Sequence, residues 1–292
     1  MNGPVLVTGA SGLLGRQVKS HLESTNFEVI GLSHSREGAD LTRLDLTDVE
    51  AVTAFLGVTR PGVIVHCAAE RRPDICEGKP KQTNDLNVKA CETLAKYVED
   101  QGARMVYIST DYVFDGSSAP YEVDAEPNPL NAYGQSKLEG EKVFLERIPN
   151  NTVVLRVPIL YGPVEYLGES QVTTLADLVK SGEKMKVDDW ATRYPTFTPD
   201  VAQAIGEILK VWPNESSLAG IQHFSGSEAF TKYKMCLAIG KYLGYSTEAL
   251  TSDLDPPLGA PRPKDSHLED SDLLKLISVK KTLFIDSLKR VL

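Results

Sequence analysis

The sequence predicts an α/β fold: a doubly wound parallel sheet with a smaller, mostly helical C-terminal lobe. Three observations predict it. A β-branched apolar run, Val5-Leu-Val-Thr8, enters three glycines spaced Gly-x-x-Gly-x-x-Gly (Gly9, Gly12, Gly15), and a helical apolar pattern follows at Leu13, Leu14, Val18 and Leu22. Fully apolar strand patterns recur, as in Gly62-Val-Ile-Val-His66, the mark of strands buried on both faces. Helical patterns lie between them, and strand–helix–strand alternation implies parallel pairing through right-handed crossovers.

Each element follows from its residues. The first strand and the glycine turn lead into a helix whose free N–H groups and positive dipole end suit a pyrophosphate. Gly9 allows the turn, Gly12 opens the backbone to phosphate, and Gly15 lets the helix sit close to the sheet; Ser11, Leu13 and Leu14 share this loop. Phe27-Glu-Val-Ile-Gly-Leu32 is a second strand. A helix starts after Asp45-Leu46-Thr47-Asp48, with Asp48 or Thr47 as N-cap. After the strand ending at His66, a helix covers about 79–101, with Asn84, Asn87 and Cys91 on one side. Met105–Ser109 is a strand, 131–147 a helix and Thr152–Val157 a strand that Pro158 ends. Beyond it, 172–181 is helical, 186–199 irregular and 200–211 helical. Gly220–Phe224 suits a strand, 231–243 a helix, and 253–264 a loop or arm with four prolines. Short helices near 270–277 and 282–291 finish the chain. Residues 1–157 with about 197–212 are expected to form the dinucleotide-binding domain. Residues 158–196 and 213–292 are expected to form the lobe.

With 292 residues the chain is long enough for that division. A formal net charge of −9 argues against broad binding to nucleic acid or anionic membranes. No apolar run reaches the roughly 18 residues that a membrane span needs. Cys67, Cys76, Cys91 and Cys236 show no metal spacing, and no targeting segment is expected before the first strand, so reduced thiols and a cytoplasmic location are expected. Five histidines without ligand spacing give no expectation of a metal.

Tyr133 and Lys137 lie four apart on one helix face. There the ammonium would lower the tyrosine pKa and hold a ribose hydroxyl, while the phenol passes a proton to a carbonyl oxygen. Ser109 and Thr110 end the preceding strand, where a doubly wound sheet places its ligands. Cofactor choice is read at the end of the second strand. An acid there would hold the ribose 2′-hydroxyl of NAD, but the chain has Gly31-Leu-Ser33-His34-Ser35-Arg36. Arg36 with Ser33 or Ser35 would hold a 2′-phosphate, so NADP is favoured over NAD, although Glu37 would compete for that guanidinium. Asp45 and Leu46 are expected to flank the adenine.

The three glycines, Cys67-Ala68-Ala69, Asn87, Ser109-Thr-Asp-Tyr-Val-Phe-Asp-Gly116 and the Tyr133/Lys137 pair resemble the extended short-chain dehydrogenase/reductase superfamily. The segment from Ser109 to Gly116 resembles its dTDP-4-dehydrorhamnose reductase branch. The resemblance implies a Rossmann-type sheet, Thr110, Tyr133 and Lys137 in catalytic positions, and Cys67, Ala68, Ala69, Asn87 and Pro158 along the cofactor.

One segment departs from that branch. Ala69-Glu70-Arg71-Arg72-Pro73-Asp74, with Asp189-Trp190-Ala-Thr-Arg193-Tyr-Pro-Thr196 and Arg156–Gly162, resembles the regulatory beta subunits of methionine adenosyltransferase II. That implies an NADP-binding regulator of S-adenosylmethionine synthesis whose partner is the catalytic subunit. The reductase branch implies instead an NADPH-dependent reductase of a nucleotide-linked 4-keto sugar. Glu70, Arg71, Arg72, Trp190 and Arg193 are the candidates for substrate or partner, Trp190 suiting a packing role first. The resemblance also implies docking by a basic, aromatic C-terminal tail; no such extension is seen up to Leu292, which leaves assembly by that tail open.

Overall fold

The computed structural model describes residues 3–36, 38 and 40–292. Seven strands form one sheet: β1 (Val5–Thr8), β2 (Val29–Ser33), β3 (Leu41–Arg43), β4 (Val63–His66), β5 (Arg104–Thr110), β6 (Thr152–Val157) and β10 (Gly220–His223). Their order is β10-β6-β5-β4-β1-β2-β3, and every pairing is parallel. The chain winds outward from β1 to β3, then returns to place β4 on the other side of β1. That reversal opens a crevice at the carboxyl ends of β1 and β4, where such sheets bind ligands.

Helices cover both faces, as the apolar strands require. On one face α1 (Leu13–Ser24), α8 (Thr198–Val211) and α10 (Ser271–Leu276) bury Val18, Leu22, Ile205 and Leu273 against β1, β4 and β6. On the other, α2 (Val49–Thr59), α5 (Ala90–Gln101) and α6 (Ala132–Arg147) bury Leu56, Leu94 and Phe144. Asp48 caps α2 by accepting from Ala51 N at 3.0 Å, as its sequence position predicts. Between β4 and α5 run the short helices α3 (Pro73–Gly78) and α4 (Pro80–Asn84) and a π-helical turn over Asp85–Lys89.

The remaining elements build a separate apolar cluster. They are α7 (Gln171–Ser181), β8 (Met185–Asp188), α9 (Lys232–Leu243), β11 (Leu250–Asp253) and α11 (Phe284–Val291), packed through Val172, Ile239 and Leu288. The pair β7 (Leu160–Tyr161) and β9 (Thr196–Phe197) joins this cluster to the sheet's end.

The structure corrects several sequence expectations. β10 lies at the edge of the main sheet, and Leu273 and Ile277 pack under it, so 213–292 does not belong wholly to the lobe. The stretch 186–199, read as irregular, contains residues of β8 and all of β9. β3 and β11 were not expected. All four strands have two to four residues, too short to show an alternation; β8, β9 and β11 form through partners distant in sequence, and β3 through β2 ten positions before it.

Candidate functional site

The crevice is a cavity of about 1180 Å³ running from the glycine turn to the lobe. At its floor Gly9 has φ +64°, and a Cβ there would come within 2.9 Å of Ala68, so only glycine makes this turn against the end of β4. A Cβ on Gly15 would meet Gly9 O at 2.2 Å, which fixes how closely α1 enters the turn. Gly12 is the N-cap of α1 and offers no capping side chain, so the first N–H groups of the helix remain for a ligand. Gly9, Ser11, Gly12, Leu13, Leu14 and Gly15 all line the cavity. This cradle fits a dinucleotide pyrophosphate.

Ser33, Asp45 and Leu46, the residues expected along an adenosine half, line the far end of the cavity. Thr47 donates to Asp45 through N–H and hydroxyl at 2.9 and 2.8 Å, which holds that carboxyl below its usual range. Arg36 departs from expectation. It is not free for a phosphate: Nη1 donates to Ser11 O and to Glu165 Oε2, each at 2.5 Å. Glu37, named as a competing partner, lies outside the described residues; the observed partner is a carboxylate 129 positions away.

Cys67, Ala68, Ala69 and Pro158 line the middle. Burial pushes the Cys67 thiol up to about 12, so it is no nucleophile at neutral pH. Asn87 is buried on the π turn and does not line the cavity. Its amide braces the loop, accepting from Glu70 N at 2.9 Å and donating to Glu70 O and Ser136 Oγ at 3.0 Å each. Expected along the cofactor, Asn87 is tied to the cavity through Glu70, which lines it.

Thr110, Tyr133 and Lys137 come together on the cavity wall. Thr110 ends β5, while Tyr133 and Lys137 project from the first turns of α6, capped by Asn131 to Gly134 N at 2.9 Å. Ser109 is spent on structure: its hydroxyl donates to Glu141, whose carboxylate also holds Arg156. The expected lowering of the Tyr133 pKa by Lys137 is not found. Burial pushes the phenol well above its ordinary value, against a lowering hydrogen bond with Thr110. Lys137 instead sets its ammonium 3.9 Å from the centre of the Tyr107 ring, and burial lowers it to about 8.

Toward the lobe the wall is cationic. Glu70, Arg71, Arg72 and Arg193 line it, but the arginine pair is divided. Arg72 folds back on Glu70 at 2.7 Å, whereas Arg71 Nη2 donates to Glu169 O at 2.9 Å. Arg193 is held by Asp188 at 3.1 Å. Trp190 is half-buried beside Asp188 and does not reach the cavity, so it is removed from the ligand-facing set.

Sequence reasoning missed Asp111, Lys232, Arg262 and Ser266, all on this wall. Asp111 is buried, accepts from Ser266 Oγ at 2.5 Å, and burial pushes its carboxyl up to about 6. Arg262 pairs with Asp74 at 2.7 Å and ties the proline-rich arm to α3. Asp111 stands within a quoted motif and was legible by position; the other three arrive from segments with no local signal. Among the described residues no cluster of three or more His, Cys, Asp or Glu could hold a metal.

The whole chain, residues 1–292, matches the family described as RmlD substrate binding domain. Methionine adenosyltransferase 2 subunit beta of Xenopus tropicalis is 44% identical over 281 residues, 96% of this chain and 84% of that protein. A dTDP-4-keto-6-deoxy-D-glucose reductase of Streptomyces niveus is 32% identical over 82% of this chain and 78% of its own length. A hypothetical dTDP-4-dehydrorhamnose reductase from Sulfolobus tokodaii has a similar structure, with TM-score 0.86, 29% identity and 97% and 98% of the two chains covered. The dTDP-4-dehydrorhamnose reductase from Bacillus anthracis, solved in complex with NADP, gives TM-score 0.84 at 27% identity, covering 99% and 97%.

Proposed function

The chain belongs to the RmlD substrate-binding-domain family, and we propose that it is an NADP-binding regulatory subunit of methionine adenosyltransferase that modulates S-adenosylmethionine synthesis. The observation that carries this reading is the 44% identity to a beta subunit over nearly the whole chain, well above the 32% to a sugar-nucleotide reductase. The cofactor would lie with its pyrophosphate on the glycine turn and α1, and its adenine beside Asp45 and Leu46. A cytosolic location accompanies this reading and is supported by four cysteines that are all unpaired. No helix among the described residues is long and apolar enough to cross a membrane. Mixing the purified chain with the catalytic subunit tests the proposal. A complex at micromolar concentration and altered synthase kinetics are expected; neither appearing would refute it.

A second reading has its own observation: Thr110, Tyr133 and Lys137 share one cavity wall. In this reading the protein is an NADPH-dependent reductase of a nucleotide-linked 4-keto sugar. The cofactor supplies the hydride. Thr110 would hold the substrate oxygen, Tyr133 keeps a proton on its phenol at neutral pH for donation to that oxygen, and Lys137 would hold the ribose. Such proton transfer contributes roughly 10²–10⁴-fold, so Tyr133→Phe should remove nearly all sugar-dependent NADPH oxidation. No oxidation by the wild type with any sugar nucleotide tried would count against it.

A further inference from the structure

We propose that Glu165 is a specificity-determining residue for the cofactor: brought in from a distant segment, it supplies the carboxylate that the end of β2 lacks. The proposal rests on the dinucleotide reading of the cavity.

Arg36 and Glu165 meet at the rim between the end of β2 and the glycine turn. Ser33 Oγ donates to Arg36 O at 2.5 Å, which fixes the Arg36 backbone beside the strand end. The guanidinium then reaches Ser11 O within the turn. That interval is where dinucleotide folds read the 2′ position of the adenosine ribose, by an acid for a hydroxyl or an arginine for a phosphate. In this chain both groups stand there, and they are bonded to each other at 2.5 Å.

The segment bearing Glu165 is held by Arg16 as well as by Arg36: Arg16 Nη1 reaches Glu165 Oε2 at 3.4 Å, and Arg36 Nη1 also reaches Glu169 Oε1 at 3.4 Å. Arg16 Nη1 and Nη2 grip the buried Glu169 carboxylate at 2.9 and 2.7 Å. Glu169 Oε2 accepts from Glu165 N at 3.0 Å, and Arg71 holds Glu169 O. Glu165 itself keeps half of its side chain exposed, and the Tyr166 ring lies 5.3 Å from the Arg36 guanidinium. An exposed pair of this kind is weak, so a ligand can separate it. A 2′-phosphate must displace Glu165 from Arg36 and tolerate its negative charge nearby. A 2′-hydroxyl can donate to the same carboxylate and leave the ion pair intact. Glu165 therefore narrows the preference for NADP that Arg36 creates.

Calorimetric titration of NADP and NAD against wild type, Glu165→Gln, Arg36→Ala and the double variant tests this. Glu165→Gln should tighten NADP about three- to tenfold and weaken NAD by a similar factor. In the Arg36→Ala background the gain for NADP should shrink, because only the repulsion between Glu165 and the phosphate is left to relieve. A ratio of the two affinities that stays within about twofold of wild type, or an unchanged gain in the Arg36→Ala background, overturns the proposal. Wild-type protein that binds neither dinucleotide overturns the cofactor reading itself, and the proposal with it.

Discussion

Glu141 and Arg156 form a bidentate, fully buried ion pair, with Nε to Oε1 at 3.0 Å and Nη2 to Oε2 at 2.7 Å. Glu141 lies one helical turn past Lys137 on α6, and Arg156 lies on β6. With Ser109 of β5 as a third member, the pair pins the helix that carries Tyr133 to the two strands beneath it. Removing one partner strands the other charge in the core. Glu141→Ala is expected to cost about 3–5 kcal/mol of stability, read from urea denaturation midpoints. A loss under about 1 kcal/mol would show that the pair is dispensable.

Asp111 predicts a pH dependence. Its folded-state pKa is raised by burial from 3.8 to about 6. A carboxyl raised on folding adds stability that is fully present below its unfolded pKa and lost as pH rises through the folded one. Wild type should therefore lose on the order of 1–3 kcal/mol relative to Asp111→Asn between about pH 4 and pH 7. Parallel denaturation curves at the two pH values check this, and a constant difference would contradict it.

Lys137 predicts another, in binding. Burial lowers its ammonium to about 8, so the charge is lost as pH rises through that value. The charged form is the one that donates three hydrogen bonds to a ligand. NADPH affinity, followed by fluorescence titration, should fall between about pH 7 and pH 9, and Lys137→Met should bind more weakly and lose that dependence. Equal slopes in the two proteins would remove Lys137 from the site.

Gly15→Ala tests the cradle. The new Cβ would meet Gly9 O at 2.2 Å, and the atoms it meets are backbone, so the turn itself must shift. Overpacking of this kind costs about 1–3 kcal/mol, and the displaced N–H groups should lower dinucleotide affinity more than tenfold. Thermal denaturation and calorimetry measure the two effects. Binding that survives at full strength would mean that the phosphates sit elsewhere.

Arg36 shows where sequence reading ends. The sequence alone determined the parallel sheet, the glycine turn, the cap at Asp48 and the Tyr133/Lys137 register, because each depends on apolar period, backbone freedom or spacing within four residues. Tertiary structure alone decided what those groups face. Arg36 meets Glu165 across 129 positions, Asp111 meets Ser266 across 155, and Arg262 meets Asp74 across 188. It also decided that Tyr133 is governed by desolvation and that Lys137 rests on Tyr107. Charge pairing and burial depend on distance in space, and the strip of sequence around a residue does not contain that distance.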